Sequence, residues 1–252
     1  YPVEYMACLL TSVKGNLDKA AGYLSDARTA GIKVLTPDIN RSAVDFGAVS
    51  LAEVPADVDM PAGSPGAITF GLSAIRNVGE GLVEQLLAER RANGQFESFY
   101  DFVERVPEQV LNKRTVEALI KAGAFDTLQL NRAALLASVD RAFEFATTSL
   151  ANANQGGLFD MDDSHGSSTQ EPELVRALPW GVKERLTHEK TAVGFYLSGH
   201  LFDEVATEVR RFAKRAIDDL IDSREPQLLA GIVSDFRVIN GQRGKLGLFK
   251  LD

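Results

Sequence analysis

One stretch, residues 68–90, constrains what this chain can fold into more than any other. It reads ITFGLSAIRNVGEGLVEQLLAER. The apolar spacing predicts a short helix over residues 72–75 and, after a tight turn, a second amphipathic helix. The second helix repeats its apolar residues at helical spacing, at Leu82, Val83, Leu86 and Leu87. The predicted unit is therefore a pair of helices joined by a turn of about five residues.

The turn itself, residues 77–81, reads Asn-Val-Gly-Glu-Gly. Gly79 and Gly81 allow close approach of the backbone and angles that other residues resist, and Asn77 is the next best residue for a left-handed position. The N–H groups that begin the second helix would then face outward as an anion site. The pattern resembles a helix-hairpin-helix, a module that holds nucleic-acid backbone through its phosphates. An ordinary turn with a glycine cap fits these residues equally well.

Composition limits the class of protein. The 252 residues are 45% hydrophobic and 25% charged, which is ordinary for a soluble protein and enough for two or three domains. Cys8 is the only cysteine, so an internal disulfide and a cysteine-based zinc site are excluded and a reducing cytoplasm is expected. No apolar run approaches membrane-spanning length. The net charge of −8 disfavours a dedicated nucleic-acid-binding protein, although basic pairs such as Lys113-Arg114 occur locally.

The segments before the hairpin read as helices followed by short strands. Residues 1–35 contain two helical patterns, and Gly31 ends the second as a C-cap would. Residues 32–35 are a strand candidate. Phe46 and residues 68–70 are expected to pair as a small hairpin.

The segments after the hairpin read as further helices. One predicted helix covers residues 131–150, with Asn131 as its N-cap. The segment LNKRTVEALIKAGAF, residues 111–125, fits either a second, degenerate hairpin module or a plain helix with a glycine C-cap.

Residues 147–173 leave few groups to bury, which predicts a flexible linker. One apolar island lies inside it, Gln155-Gly156-Gly157-Leu158-Phe159. A docking motif explains the island, because a short segment can place Leu158 and Phe159 in a partner's pocket. Alternatively, the two side chains pack back onto their own domain.

The chain closes with helices over 174–222 and a predicted strand from Gln227, followed by an Asn240-Gly241 hairpin turn and a returning strand. Two strands are marginally stable alone. We expect residues 227–252 to be the start of a larger β domain, either poorly ordered or paired with a neighbour through its open edge. The absence of an initiator Met and the apolar last residues indicate a fragment of a longer protein.

No catalytic constellation emerges from the sequence. The histidines, His165, His188 and His200, lack a carboxylate or nucleophile at ligand spacing, and no phosphate-binding loop is present. We therefore predict no catalytic residue, no metal site and no cofactor within this chain.

The order of the motifs is more specific than any one of them. ITFGLSAIRNVGEG, LNKRTVEALIKAGAFDTLQLNRAAL, QGGLF, EKTAVGFYLSGHLFDE and GQRGKLG follow one another, and this order resembles the catalytic subunits of the bacterial C-family replicative DNA polymerases. The resemblance covers essentially the whole chain. It implies a mainly α fold, in which a helical fingers end and a tandem helix-hairpin-helix domain precede a linker, further helices and a truncated, OB-like β domain.

The implied domain boundaries are the end of the fingers at 1–66, the helix-hairpin-helix region at 67–146, the linker at 147–173, a helical connector at 174–225 and the start of an OB fold at 226–252. The implied parent is a DNA-directed DNA polymerase, a nucleotidyltransferase that uses Mg²⁺ held by palm carboxylates. In this family the palm precedes the fingers, so the fragment is predicted to be inactive by itself.

The resemblance also assigns sites and partners. It places duplex primer-template DNA at the hairpin turn, at Asn77, Val78, Gly79 and Gly81, and adds the cations Lys113 and Arg114 to the same site. It makes Gln155, Gly156, Gly157, Leu158 and Phe159 a motif for the sliding clamp (beta subunit), with other replisome subunits as further partners. The expected location is cytoplasmic, with no membrane contact. The alternative is a non-catalytic helical scaffold or interaction module of an error-prone polymerase paralogue.

Overall fold

A computed structural model describes residues 1–54, 56, 58–107, 111–155, 171–215, 217–241 and 244–251. The chain divides into two compact units, Tyr1–Leu197 and Ser198–Asp252. Helices dominate the first unit and a two-stranded sheet ends the second. The predicted fold class, mainly α with a small β element at the end, is confirmed.

The first unit opens with two helices packed beside a small sheet. The helices are α1 (Pro2–Ser12) and α2 (Leu17–Thr29), and the strands are β1 (Lys33–Val34), β2 (Gly47–Val49) and β3 (Ala67–Thr69). The strand order is β1-β3-β2, with β1 parallel and β2 antiparallel to β3. Gly31 follows α2 with φ +72°, as predicted, and the strand candidate at 32–35 is confirmed as β1. The predicted pairing of Phe46 with residues 68–70 occurs one residue away, between Gly47–Val49 and Ala67–Thr69. The parallel pairing of β1 with β3 was not predicted.

The hairpin region follows directly. A 3-10 turn, Leu72–Ala74, precedes α3 (Glu80–Asn93), α4 (Phe99–Arg105) and α5 (Lys113–Ala122). Ser98 and Asn112 cap α4 and α5, because each side-chain oxygen accepts a hydrogen bond from the backbone N–H three residues on. Aromatic rings meet edge to face between these helices, in a buried cluster formed by Phe96, Phe99, Phe102 and Phe125.

The predicted helix over 131–150 is two helices, α6 (Arg132–Ala137) and α7 (Val139–Gln155). Asn131 caps α6 as predicted. The break occurs at buried Ser138, whose hydroxyl donates to the carbonyl of Ala134 at 2.7 Å and accepts from the N–H of Val175 at 2.8 Å. A serine that bonds back to its own helix competes with the helical pattern, and here it also binds a distant segment.

The predicted linker, 147–173, is ordered structure at both of its described ends. Helix α7 continues to Gln155, and residues 171–177 lie against α4, α6 and α7. The Ser98 hydroxyl donates to Glu171 at 2.5 Å, the Arg141 guanidinium to the carbonyl of Glu173 at 2.7 Å, and the Asn131 amide to the carbonyl of Ala177 at 2.9 Å. Residues 156–170 lie outside the described part of the chain.

Helix α8 (Val182–Val193) packs on α5 and ends at Gly194, which has φ +92°. It completes the first unit. The backbone N–H of Arg76, beside the hairpin turn, donates to the carbonyl of Ala192 at 2.9 Å. The hairpin therefore lies between the beginning of α3 and the end of α8.

The second unit contains α9 (Asp203–Val209), a 3-10 turn at Ile217–Asp219 and the antiparallel strands β4 (Val233–Gly241) and β5 (Gly244–Leu251). The hairpin at Asn240-Gly241 is confirmed, but the first strand begins at Val233 and not at Gln227. Large apolar side chains of both strands are exposed, including Phe236, Leu246 and Phe249. The two described strands fall short of the five that an OB fold needs.

Candidate nucleic-acid interface

The hairpin turn has one left-handed residue, and that residue is Asn77, with φ +64°. The prediction for Asn77 is therefore confirmed. The prediction that Gly79 and Gly81 take angles closed to other residues is wrong. Gly79 is the extended N-cap of α3, with φ −80° and ψ 150°, and Gly81 lies within the first turn of that helix. Because Asn77 reverses the chain, neither glycine needs a positive φ.

The two glycines instead leave open space at the start of α3. A Cβ atom placed on Gly79 or on Gly81 would meet no other atom within 4 Å. Gly79 offers no side chain to cap the helix, and no described group accepts a hydrogen bond from the N–H of Glu80, Gly81 or Leu82. Uncapped N–H groups and the positive end of the helix dipole form a site suited to an anion.

Val78 holds this turn in place. Its side chain is 5% exposed and joins the hydrophobic core, while its N–H donates to the carbonyl of Ile75 at 3.1 Å. Val78, which the sequence analysis assigned to DNA, can therefore offer a ligand only its backbone.

The beginning of α5 lies beside the hairpin turn. The hydroxyl of Thr115 donates to the carbonyl of Asn77 at 2.9 Å. Lys113 and Arg114, the two cations predicted to assist binding, precede Thr115 on the exposed first turn of α5. The structure therefore brings together residues that are 38 positions apart in the sequence.

The cations near the turn differ in their pairing. Lys113 forms an ion pair with Asp140, and the hydrogen bond between them raises the pKa of Lys113. Arg114 is exposed and has no ion pair with a described residue. Arg76, directly before Asn77, is also exposed and has no ion pair with a described residue. The sequence analysis did not single it out. Its position at the end of an apolar run could have indicated Arg76, because a charged side chain there does not pack in the core.

Glu80, the acidic residue of the turn, forms an ion pair with Lys14, which follows the end of α1 by two residues. The ammonium of Lys14 lies 2.5 Å from Oε1 of Glu80 and 2.6 Å from Oδ1 of Asp45. Burial alone would lower the pKa of Lys14, but the hydrogen bonds to Asp45 and Glu80 outweigh burial and raise it. Lys14 therefore stays charged and offsets part of the negative charge of Glu80. No sequence pattern indicated this pair, whose members are 66 residues apart.

The candidate clamp motif lies mostly outside the described residues. Gln155 is the last residue of α7, and Gly156, Gly157, Leu158 and Phe159 follow it in the part that the structure does not describe. The described segments on both sides, α7 and residues 171–197, belong to the same compact unit.

Neither a metal site nor a membrane span is present in the described ranges. No group of three or more His, Cys, Asp or Glu side chains there could hold a metal ion, so the residues present do not fit the Mg²⁺ that the resemblance implies for the parent enzyme. None of the described helices is both long enough and apolar enough to cross a bilayer.

Comparison with known proteins shows what the hairpin region and the chain as a whole are similar to. Residues 31–135 match a family described as "Helix-hairpin-helix motif". The chain is 41% identical over 252 residues to the DNA polymerase III subunit alpha of Neisseria meningitidis serogroup B, and 35% identical over 276 residues to that of Pseudomonas aeruginosa. A third relative, the DNA polymerase III subunit alpha of Thermus aquaticus, is 43% identical over 202 residues.

The first two matches cover the whole of this chain, and the third covers 79% of it. The matched parts make up only 20%, 22% and 15% of the three relatives, in the same order. The chain thus spans about a fifth of the length of the curated relatives it matches. Identity at this level along the full chain confirms the resemblance noted from the order of the motifs: the chain is homologous, over its whole length, to part of the alpha subunits of DNA polymerase III.

Proposed function

We propose that this chain is the DNA-holding and clamp-tethering portion of a DNA polymerase III alpha subunit and supports template-directed synthesis of chromosomal DNA. One observation carries the proposal for DNA. The hairpin presents the uncapped beginning of α3 with open space over Gly79 and Gly81, inside a segment that matches the helix-hairpin-helix family.

The contact with DNA follows from this geometry. A phosphate of duplex primer-template DNA accepts hydrogen bonds from the N–H groups of Glu80, Gly81 and Leu82, since space is open over Gly79 and Gly81. Arg76 and Arg114 add positive charge from two sides of the turn. Because every contact is made to the sugar-phosphate backbone of the DNA, binding does not depend on base sequence. A dissociation constant of about 10⁻⁴ to 10⁻⁶ M at physiological salt is expected for such binding.

The clamp contact is supported by position. Leu158 and Phe159 follow the end of α7 by three and four residues, so a sliding clamp that takes them is held close to the unit that carries the hairpin. Tethering of this kind raises the local concentration of one partner near the other without any further contact.

The chemistry of nucleotide transfer belongs to the parent polymerase in this proposal. Mg²⁺ would supply charge stabilisation at the reacting phosphates there, and the described residues of this chain hold no fitting ligand set. This chain keeps the duplex in register and the clamp attached.

The test is titration of a labelled duplex at two salt concentrations with the double variant Gly79→Leu and Gly81→Leu. Since a Cβ at either position meets nothing within 4 Å and neither φ is positive, the variant is expected to fold and to lose binding by steric exclusion of the phosphate. Gly22→Leu is the matched control, because Gly22 also lies in a helix with no atom within 4 Å of its Cβ.

Gly22→Leu should bind as the unchanged chain does. A folded chain that fails to bind the duplex at low salt would support the alternative, a helical scaffold of an error-prone polymerase paralogue. Binding that survives in the hairpin variant would place the DNA elsewhere on the molecule.

A further inference from the structure

A stacked pair of rings lies at the beginning of α8. The indole of Trp180 and the imidazole of His188 have centroids 4.1 Å apart and planes inclined by 35°. Trp180 is the only tryptophan of the chain and remains partly exposed, as does His188. Leu178, two residues before Trp180, is 90% exposed. A large aromatic surface is therefore held by a neighbouring ring without being enclosed in the core.

Positively charged residues lie near this pair on α8 and on α5. Lys183 and Arg185 lie in the first turn of α8, and Lys121 of α5 is near enough to act on His188. Burial, followed by the positive charge of Lys121, lowers the pKa of His188, against the opposing effect of Glu184. His188 is therefore neutral at pH 7, and its ring can support Trp180 without adding charge of its own.

The rings and the hairpin contact different turns of one packed pair of helices. Thr115 of α5 and Ala192 of α8 contact the hairpin segment through Asn77 and Arg76, whereas Lys121 lies near the end of α5 and His188 in the middle of α8. At 1.5 Å of rise per residue, the two places are about 6 to 9 Å apart along the helices. That is the span of about two to three nucleotides of one strand.

We propose that Trp180, supported by His188, is a stacking platform for an unpaired base of a DNA strand that leaves the duplex at the hairpin. Aromatic faces beside positive charge are what proteins use to hold single strands without regard to sequence, since every base has a face to stack. The proposal rests on the proposed function, because the hairpin must first hold the duplex.

The experiment uses the natural fluorescence of Trp180, which no other tryptophan obscures. Three probes are titrated into the 252-residue chain: a blunt duplex, the same duplex with a single-stranded oligo(dT) overhang, and oligo(dT) alone. Stacking of a base on the indole should quench the emission with the overhang and with oligo(dT), and leave it nearly unchanged with the blunt duplex. Equal emission with all three probes, while the overhang duplex is bound, would overturn the proposal.

Variants provide the second measurement, with fluorescein-labelled DNA and anisotropy as the readout. Stacking is worth about 1–3 kcal/mol per base, so Trp180→Ala should weaken binding of the overhang duplex by about 5- to 150-fold while blunt-duplex binding stays the same. Trp180→Phe should restore most of the loss, since it keeps an aromatic face. Tyr5→Ala, which removes an aromatic residue that is 65% exposed on α1, should change neither affinity.

These results separate the two proposals. If the unchanged chain does not bind the blunt duplex, the proposed function itself is wrong. Intact blunt-duplex binding, with an overhang affinity that Trp180→Ala does not alter, removes only the platform and leaves Trp180 with the role of fixing residues 171–181 to α8.

Discussion

Arg132 of α6 donates a hydrogen bond from Nη1 to Oε1 of Glu189 of α8 at 3.0 Å, and the two side chains are only 5% and 0% exposed. The same guanidinium donates to both oxygens of Asp126, at 2.7 and 2.5 Å. Burial by itself would lower the pKa of Arg132, but the bonds to Asp126 and Glu189 outweigh it and raise the pKa. This cluster joins α8 to the helices that precede residues 156–170.

Glu189→Ala is expected to destabilise the first unit. Loss of one partner from a buried ion pair costs about 3–5 kcal/mol because a buried charge is left uncompensated, and the value here should lie toward the lower limit since Asp126 stays with Arg132. Urea unfolding measures the change. Asp140→Ala, which removes an exposed partner of Lys113, is the control and should leave the midpoint nearly unchanged.

Gly123→Ala is expected to destabilise the chain more than Gly31→Ala does. Both glycines follow a helix with positive φ, +87° and +72°, so each alanine carries about 1–2 kcal/mol of backbone strain. At position 123 the new Cβ would also lie 2.3 Å from Nη2 of Arg132, which Asp126 and Glu189 hold in place, whereas at position 31 it meets nothing within 4 Å. Equal melting temperatures for the two variants would contradict this account.

Arg76→Ala with Arg114→Ala is expected to weaken duplex binding uniformly across sequences. Each cation that neutralises a phosphate contributes about 0.9 to the slope of log K against log salt, so the double variant should flatten the slope by about 2 if both contact phosphates. Lys113→Ala should have a smaller effect, because Asp140 already offsets its charge. Anisotropy titrations at several salt concentrations give the slopes, and an unchanged slope in the double variant would exclude both arginines from the contact.

His188 is expected to make the first unit less stable in mild acid. Its pKa is lowered from the ordinary 6.5 by burial and by Lys121, so the unfolded chain binds the proton more strongly than the folded one. The free energy of unfolding therefore falls as the pH drops through 6.5 and on through the lower folded-state pKa. His188→Gln should flatten that part of the curve in urea unfolding at a series of pH values. The same fall in the variant would assign it to other groups.

A peptide spanning Asn152 to Asp162 is expected to bind a bacterial sliding clamp with a Kd of roughly 1 μM, about −8 kcal/mol. Leu158→Ala with Phe159→Ala should remove binding, since buried anchors carry most of the energy of such a contact. Met161→Ala, outside the motif, is the matched control and should bind as the unchanged peptide does. A double variant that binds equally well would falsify the clamp assignment.

Local chemistry explains which parts of the fold could be predicted. Asn77, Gly31 and Asn131 act through bonds and backbone angles within a few residues, and their predicted roles in the turn, the helix end and the N-cap are confirmed. Gly79 and Gly81 were predicted to take angles that other residues resist and do not, because one left-handed residue, Asn77, was enough to reverse the chain.

What the sequence could not predict depends on distant partners. Ser138 divides a continuous helical pattern because its hydroxyl accepts from Val175, 37 residues away. Arg132 and Glu189 are 57 residues apart and Lys14 and Glu80 are 66 apart, and no periodicity links such pairs. For the candidate interface, the turn could be predicted but the charge state around it could not, since Lys14 and Asp140 decide which charges remain available.

The unit that carries the hairpin also holds both ends of residues 156–170, through α7 on one side and Glu171 to Ala177 on the other. Arg132 of α6 holds Glu189 of α8 across the same interval of sequence. A chain whose backbone is cut between Gln155 and Glu171 should therefore keep α8 on the first unit, because these contacts do not depend on the covalent connection.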